Sequence, residues 1–213
     1  MKASGEITGY RYGNPGHSCA HRYLLPEVRS ELGAFFQHEG HRRVFDLGCG
    51  NGSVAAALAG GGYDVCGVDP STEGITQACA AYPHLRLEIG SAYDDLVARF
   101  GRFPAVISLE VVEHVYAPRD YARTLFDLVE PGGIALVSTP YHGYWKNVVL
   151  AATGELDRHF TALWDHGHIK FWSIRTLAIL LREAGFEDVR FSRVGRLPML
   201  AKSMIAVARK PKV

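Results

Sequence analysis

Residues 44–52 read VFDLGCGNG, which places one acid and three glycines where an apolar run gives way to a helical pattern. The acid is Asp46, and Gly48, Gly50 and Gly52 follow it at alternate positions. Glycine permits positive φ and lets a ligand approach the backbone closely. The free amides at the start of a helix attract a carboxylate or a phosphate. This segment therefore predicts a loop that holds a cofactor with an anionic group.

Two cofactors could use that loop. A dinucleotide fingerprint, G-x-G-x-x-G, needs its third glycine where this chain has Ser53, and a carboxylate at Asp46 would repel pyrophosphate. S-adenosylmethionine fits better, because Asp46 can pair with the methionine ammonium and the loop amides can bind the methionine carboxylate. Asp69, which ends the next apolar run in CGVDPS, is placed to accept hydrogen bonds from both ribose hydroxyls.

These residues resemble the class I S-adenosylmethionine-dependent methyltransferases, and the resemblance covers about residues 40–210. The family pattern is an acid, x-Gly-x-Gly-x-Gly and a second acid one strand later, which Asp46, the three glycines and Asp69 supply. The segment SLEVVEHV at 108–115 is similar to the small-molecule branch of the family. Enzymes that methylate nucleic-acid bases or protein glutamines usually carry Asn/Asp-Pro-Pro-Tyr/Phe at that point.

Within that branch the chain resembles the ubiquinone-biosynthesis O-methyltransferases in three segments. They are VISLEVVEHV, VEPGGIALVSTP and WDHGHIKFWS. The resemblance implies an enzyme that methylates a small, partly apolar acceptor, more readily on oxygen than on nitrogen or carbon. A nicotinamide-dependent oxidoreductase and a binding module without turnover are the alternatives from other functional classes.

The resemblance also extends the set of expected cofactor contacts. Family members commonly carry an acid after the third strand that hydrogen-bonds adenine, and Ser91 stands there, so we expect backbone near Ala92 to hold the adenine. The predicted cofactor-binding residues are Asp46, Gly48, Cys49, Gly50, Gly52, Asp69, Pro70, Ser91, Ala92 and Glu110.

Histidines supply the expected base. Methyl transfer displaces an activated leaving group in line, so the enzyme must mainly position the acceptor and remove its proton. His142 follows a strand in STPYHGYWKN and is the first candidate, whereas His166 in WDHGHIKF is the second. His114 and His168 also qualify by placement, and each of these histidines has a structural alternative as an anchor of the surrounding backbone. Activity should rise with pH through a histidine-like pKa.

Metal binding is a weaker interpretation of the same region. Glu110, Glu113 and His114 have a spacing that suits one helical face, as in some quinone-ring methyltransferases that this segment resembles. Because carboxylates with one histidine select metals poorly, we expect no metal in this protein.

Around these residues, short apolar runs alternate with helical periods, which predicts β-α-β units. We expect a Rossmann-like α/β fold, with a seven-stranded, mostly parallel sheet, an antiparallel last strand and helices on both faces. The predicted strands are 43–47, 64–68, 85–89, 105–109, 133–138, 188–194 and 203–209. The predicted helices are 53–60, 71–81, 91–100, 117–130 and 173–184.

Two segments lie outside this repeat within a single predicted domain, residues 1–213. Residues 1–40 form an arm, with Tyr10 and Tyr12 available to a sulfonium, and a helix that starts near Pro26 and reaches Gln37. Residues 140–172 form an insertion where ligands bind in open parallel sheets, so we expect it to be a lid. Its aromatic and aliphatic side chains suit an apolar acceptor pocket or a membrane surface.

Composition narrows the class of protein. The chain has 213 residues, of which 47% are hydrophobic and 21% charged, as in ordinary globular proteins. Its 23 basic against 22 acidic residues give a net charge of +1, which disfavours nucleic acid as a partner. The four cysteines show no C-x-x-C pair and predict reduced thiols in the cytoplasm. No segment predicts a membrane span, and we expect a monomer or homodimer.

Overall fold

The computed structural model describes residue 14 and residues 16–37, 41–164 and 167–212. Seven strands form a single sheet with the order β3-β2-β1-β4-β5-β7-β6. The strands are β1 Arg43–Leu47, β2 Asp64–Asp69, β3 Arg86–Ile89, β4 Phe103–Leu109, β5 Val129–Pro140, β6 Glu187–Val194 and β7 Ser203–Arg209. The helices are α1 His21–Phe35, α2 Ser53–Ala59, α3 Thr72–Ala81, α4 Leu96–Phe100, α5 Pro118–Leu128, α6 Tyr144–Ala152, α7 Leu156–Phe160 and α8 Ile174–Glu183.

The predicted sheet is confirmed. Strands β1 to β5 pair in parallel, and β7 runs antiparallel to both of its neighbours, β5 and β6. The strand order reverses between β1 and β4, which in open α/β sheets marks the ligand crevice at the carboxyl ends of the strands. Pairing of Pro140 with Ser203 also brings the start of β7 to that edge.

Helices cover both faces because the central strands are apolar on both sides. Successive residues of a strand point to opposite faces, and in β1 Phe45 packs in one core cluster whereas Val44 packs in the other. Tyr121 of α5 lies in the first cluster and Leu24 of α1 in the second, and both are fully buried. The sheet is therefore a rigid support for the residues at its carboxyl edge.

Several element boundaries differ from the sequence prediction, among them the strand expected at 133–138, which spans Val129–Pro140. The helix expected at 91–100 begins only at Leu96, because Asp94 accepts a hydrogen bond from the Ser91 amide at 2.8 Å and Asp95 caps the Ala98 amide at 3.1 Å. The helix expected to reach 130 ends at Leu128, since Val129 already pairs with Phe103 in the sheet.

The N-terminal helix also differs from the prediction. It begins at His21, so Pro26 lies inside α1 instead of near its start. Proline lacks an amide hydrogen, so this position does not donate the usual hydrogen bond to the preceding turn. The buried stripe Leu24, Leu25, Val28 and Leu32 holds the helix against the sheet despite that loss.

The insertion at 140–172 contains α6 and α7. Its two ends meet, because the amide of His142 donates to the carbonyl of Trp172 at 3.2 Å. The indole nitrogen of Trp172 donates to the carbonyl of Val112 at 3.1 Å, which ties the insertion to the segment after β4. Across the described helices, none is both long and apolar enough to span a bilayer.

Candidate active site

The glycine loop joins β1 to α2 at the point where the strand order reverses. Gly48, Gly50 and Gly52 have φ values of 90°, 54° and 76°, a region that side chains with a Cβ disfavour. A Cβ at Gly48 would overlap the side chain of Val111, and one at Gly52 would lie 2.7 Å from Leu87 Cδ1. Glycine is thus required by both conformation and space, and the loop brings its backbone to the crevice.

Asp69 ends β2 beside this loop and is 6% exposed. One carboxylate oxygen accepts a hydrogen bond from the Gly50 amide at 2.9 Å, and the other accepts from the Ser71 amide at 2.8 Å. Burial raises the pKa of this carboxyl, whereas the two amide bonds oppose that change. Each oxygen keeps a second lone pair, so the fixed carboxylate can still accept two hydroxyl groups such as those of a ribose.

Asp46 lies at the tip of β1 and is 2% exposed. Its Oδ2 atom has no hydrogen-bond partner among the described residues. Burial, followed by the negative charge of Asp69, raises the pKa of Asp46 to about 8. Gly67 on the adjacent strand allows this close packing, since a Cβ there would lie 2.9 Å from Asp46 Cβ. An unpartnered buried carboxyl fits a cationic ligand group, such as the ammonium of S-adenosylmethionine.

The remaining predicted cofactor residues lie on the same edge. Cys49 is buried, its amide donates to the carbonyl of Val68 at 3.0 Å, and burial raises the pKa of its thiol. Pro70 follows Asp69 and is half-buried. Ser91 and Ala92 form a turn after β3, where the Ser91 hydroxyl accepts from the Tyr93 amide at 3.2 Å. Their contacts with a cofactor stay predictions.

Glu110 follows β4 and has a positive φ of 57°, which is uncommon for a residue other than glycine. Its carboxylate accepts hydrogen bonds from the hydroxyls of Ser138 at 2.8 Å and Ser203 at 3.3 Å. Burial raises the pKa of Glu110 to about 7, although both serines and Lys146 favour the ionised form. The sequence analysis missed these two serines, whose signal is only their position at the carboxyl end of β5 and the start of β7.

His142 follows β5, as predicted, and is 8% exposed. Its ring stacks on Phe160 at a centroid distance of 5.8 Å and meets Phe171 edge-on at 5.1 Å. Its Nδ1 atom is buried and makes no hydrogen bond of regular geometry in the described part of the chain. Burial, then the neighbouring His159 and Lys146, lower the pKa of His142 to about 4.

A second cluster of polar side chains lies where the insertion meets the segment after β4. Glu113, His114 and His168 each offer a ligand atom, and these atoms lie within 4.8 Å of one another. The arrangement differs from the predicted alternative, because Glu110 turns toward the serines and His168 takes its place. Such a set could hold a metal ion, and the expected absence of metal stays a prediction. His166, Tyr10 and Tyr12 lie outside the described residues.

Comparison with known proteins identifies the family. The model of a methyltransferase domain family matches residues 20–190. The chain belongs to the S-adenosylmethionine-dependent methyltransferases. A ubiquinone biosynthesis O-methyltransferase from Ruegeria pomeroyi is 33% identical over 173 residues, which cover 79% of this chain and 68% of that protein. One from Cereibacter sphaeroides is 31% identical over 179 residues, which cover 80% of this chain and 72% of that protein.

The lengths of these methyltransferases differ from the length of this chain. The match to the Caulobacter sp. ubiquinone biosynthesis O-methyltransferase is 34% identical, and it spans 54% of this chain but only half, 50%, of that relative. Matched regions in further relatives reach 65% and 72% of their lengths. The family is therefore shown, whereas the activity and acceptor of a relative are not transferred by the match.

Solved structures support the same methyltransferase fold. A SAM-dependent methyltransferase from Archaeoglobus fulgidus superposes with a TM-score of 0.63 at 16% identity, over 88% of this chain and 93% of that one. An O-methyltransferase family protein from Burkholderia thailandensis gives 0.67 at 19% identity, over 90% and 56% of the two chains. At these identities the comparison supports the fold alone.

Proposed function

We propose that this protein transfers a methyl group from S-adenosylmethionine to an oxygen of a small, partly apolar acceptor. The unpartnered Oδ2 atom of Asp46 beside the glycine loop carries the cofactor part of the proposal, because a cation is what this buried carboxyl lacks. The relatives named O-methyltransferases support oxygen as the acceptor atom. Methylation of nitrogen or carbon remains the alternative.

In the proposed mechanism, the donor binds on the side of the crevice that the glycine loop and Asp69 form. The acceptor binds on the side that the insertion and the end of β5 form. S-adenosylmethionine, when bound, supplies a methyl group that its sulfonium already activates. Asp46 would pair with the ammonium, the amides of the glycine loop would bind the carboxylate, and Asp69 would accept the ribose hydroxyls. These contacts hold the donor still, so that an acceptor fixed in line can react without further reorganisation.

His142 is the proposed proton acceptor. With its proton on Nε2, the Nδ1 atom would accept the hydroxyl proton of the acceptor in place of its contact with Asn147. The pKa of about 4 leaves the imidazole neutral throughout the neutral range. The acidic limb of the activity profile should therefore lie near pH 4, below the position that an unperturbed histidine would give. His166 stays the second candidate for this role.

Two measurements test the proposal. Calorimetry with S-adenosylmethionine and with NAD should show binding of the first and none of the second. Consumption of S-adenosylmethionine over a panel of phenols, alcohols, amines and activated carbon acids should be fastest with a hydroxyl compound. Turnover confined to amines would overturn the choice of oxygen, and binding without turnover on any acceptor would favour a binding module.

The location, partners and oligomeric state of the protein are also part of the proposal. The described cysteines are unpaired, which supports a cytoplasmic location. Exposed apolar side chains on α6, among them Tyr144 and Trp145, support a peripheral contact of the insertion with a membrane surface. We propose a protein that acts as a single domain without nucleic acid, as a monomer or homodimer.

A further inference from the structure

Lys146 lies in the first turn of α6, next to the proposed base. Its ammonium donates a hydrogen bond to the carbonyl of Tyr141 at 2.9 Å, so it is held beside the carboxyl end of β5. Within the ranges that the structure covers, Lys146 makes no ion pair. The first turn of α6 contains no acid, and a cation at a helix N-terminus is opposed by the helix dipole. The position therefore carries an unbalanced positive charge.

Further cations lie near Lys146, on β6 and in the segment that follows it. Burial, then the positive charge of Arg196, lower the pKa of Lys146 to about 8. The guanidinium of Arg193 lies 6.0 Å from the ring centroid of Tyr141, whose carbonyl holds Lys146. The opposing acid is Glu110, whose carboxylate already accepts hydrogen bonds from two serine hydroxyls. An anion would be favoured near Lys146 on the side away from Glu110.

Buried polar atoms flank the same lysine. His142 Nδ1 and Asn147 Oδ1 make no hydrogen bond of regular geometry with the described residues, although the two side chains interact with each other. His142 precedes α6 and Asn147 follows Lys146 within it, and the helix cap, Gly143, supplies no capping side chain. The aromatic faces of Phe160 and Phe171 pack around His142. Together these groups suit a ring that carries one charged and one hydroxyl substituent.

We propose that the methyl acceptor is an aromatic compound with an anionic substituent, a carboxylate or a phosphate ester, and that Lys146 binds this substituent. This inference rests on the proposed function and deepens it, because it names the acceptor class. Lys146 then fixes the ring so that its hydroxyl reaches His142. The carboxylate of the cofactor is expected elsewhere, at the glycine loop before α2.

Matched probes can test the anion site without knowledge of the acceptor. Benzoate and its neutral analogue benzamide are titrated calorimetrically into the full chain loaded with S-adenosylhomocysteine. Benzoate should bind at least tenfold more tightly than benzamide. Lys146→Met should remove that difference and leave S-adenosylhomocysteine affinity within twofold, whereas Lys146→Arg should retain most of it. Lys212→Met, at the opposite edge of the sheet after β7, is the control and should behave as wild type.

Phenyl phosphate distinguishes the two sources of the anion. Tighter binding of phenyl phosphate than of benzoate, lost in Lys146→Met, would identify a phosphate ester, and the reverse order would identify a carboxylate. Equal affinity for benzoate and benzamide, no binding of either anion, or benzoate binding that survives Lys146→Met would each overturn the inference. A wild-type chain that fails to bind S-adenosylhomocysteine would instead refute the proposed function, and the anion titrations would still decide the site on the unloaded chain.

Discussion

The two sides of the crevice differ in how their polar groups are satisfied. On the proposed cofactor side, backbone amides from nearby turns hold both oxygens of Asp69, and the buried Oδ2 atom of Asp46 has no hydrogen-bond partner among the described residues. On the proposed acceptor side, several buried side-chain atoms make no hydrogen bond of regular geometry among the described residues. These atoms belong to Glu113, Thr139, His142, Asn147 and His159, of which Glu113 interacts with Thr139 and His142 with Asn147. The cofactor side is thus built mainly by backbone groups around two carboxylates, whereas the acceptor side is built by side chains from segments far apart in the sequence.

This difference predicts that substitutions on the two sides of the crevice have different effects. Changes at the glycine loop or at Asp69 should weaken cofactor binding, because they alter the structure that receives it. Changes in the insertion or at the end of β5 should alter turnover and acceptor choice while cofactor affinity stays constant. Each prediction below tests whether the two sides are independent in this sense.

The largest effect is expected on the acceptor side. His142→Ala should lower kcat by ~10²–10⁴ because removal of a general base acts in the transition state. The affinity for S-adenosylhomocysteine should change by less than about twofold, since general-base removal leaves the bound cofactor untouched. Initial rates of S-adenosylhomocysteine release, with the best acceptor of the panel, measure the first quantity. His84→Ala changes an exposed histidine before β3 and serves as the control.

The pH profile sharpens the same test. Loss of the limb near pH 4 in His142→Ala would support proton transfer to this imidazole. If the variant keeps full turnover and an unaltered profile, histidine base catalysis at this position is wrong, and the contacts with Phe160 and Phe171 would leave it as a packing residue.

Gly50→Val should nearly abolish cofactor binding. The valine must adopt the φ of 54°, and its strained loop would withdraw the amide that holds Asp69 at 2.9 Å. We expect at least a ~100-fold loss of affinity and a loss of about 1–3 kcal/mol in the free energy of unfolding. Gly62→Val is the matched control, because Gly62 has a φ of 85° but no atom near its would-be Cβ. Retained binding in the Gly50 variant would place the cofactor elsewhere.

Asp69→Ala should weaken binding of S-adenosylhomocysteine by at least about tenfold. Two hydroxyl groups would each lose a charge-assisted hydrogen bond, which typically contributes ~1.5–3 kcal/mol. Calorimetry on the folded variant gives the affinity, and Asp64→Ala, at the exposed start of β2, controls for charge. An unchanged dissociation constant would remove Asp69 from the binding site.

The smallest predicted effect is the release of a proton when the cofactor binds. Asp46 has a pKa of about 8 in the unliganded protein, so its carboxyl is mainly protonated at pH 7. A bound ammonium favours the ionised carboxylate, so cofactor binding should release up to one proton and strengthen as pH rises toward 8. Calorimetry at pH 7 in two buffers of different ionisation enthalpy measures that release, and Asp46→Asn should abolish it. Identical enthalpies in both buffers for the wild type would contradict proton release from Asp46 on cofactor binding.

The cofactor side was the more predictable from the sequence, for a physical reason. Asp46, the three glycines and Asp69 lie in or beside turns adjacent to their own strands, so their positions follow from local sequence and strand order. Asp95 also carried a local signal, because a residue of this type caps the helix that begins after it. The helix predicted from 91 was too long because that capping signal was not used.

The acceptor side depends on contacts between distant segments. Glu110 meets Ser138 and Ser203 across 28 and 93 positions, and neither distance is encoded in the pattern around Glu110. The positive φ of Glu110 is likewise imposed by tertiary contacts, because glutamate has no intrinsic preference for it. The buried stripe of α1 similarly outweighs the helix-breaking tendency of Pro26.

The hydrogen bond that closes the base of the insertion bears on how acceptor specificity can change among methyltransferases. The backbone hydrogen bond of 3.2 Å between His142 and Trp172 closes residues 142–172 into a loop whose two ends meet just after β5. A loop closed at its base can change length or sequence at little cost to the core, because the entropy of closure grows slowly with length. An exchange of residues 143–171 between methyltransferases should therefore transplant acceptor preference onto an unaltered donor site.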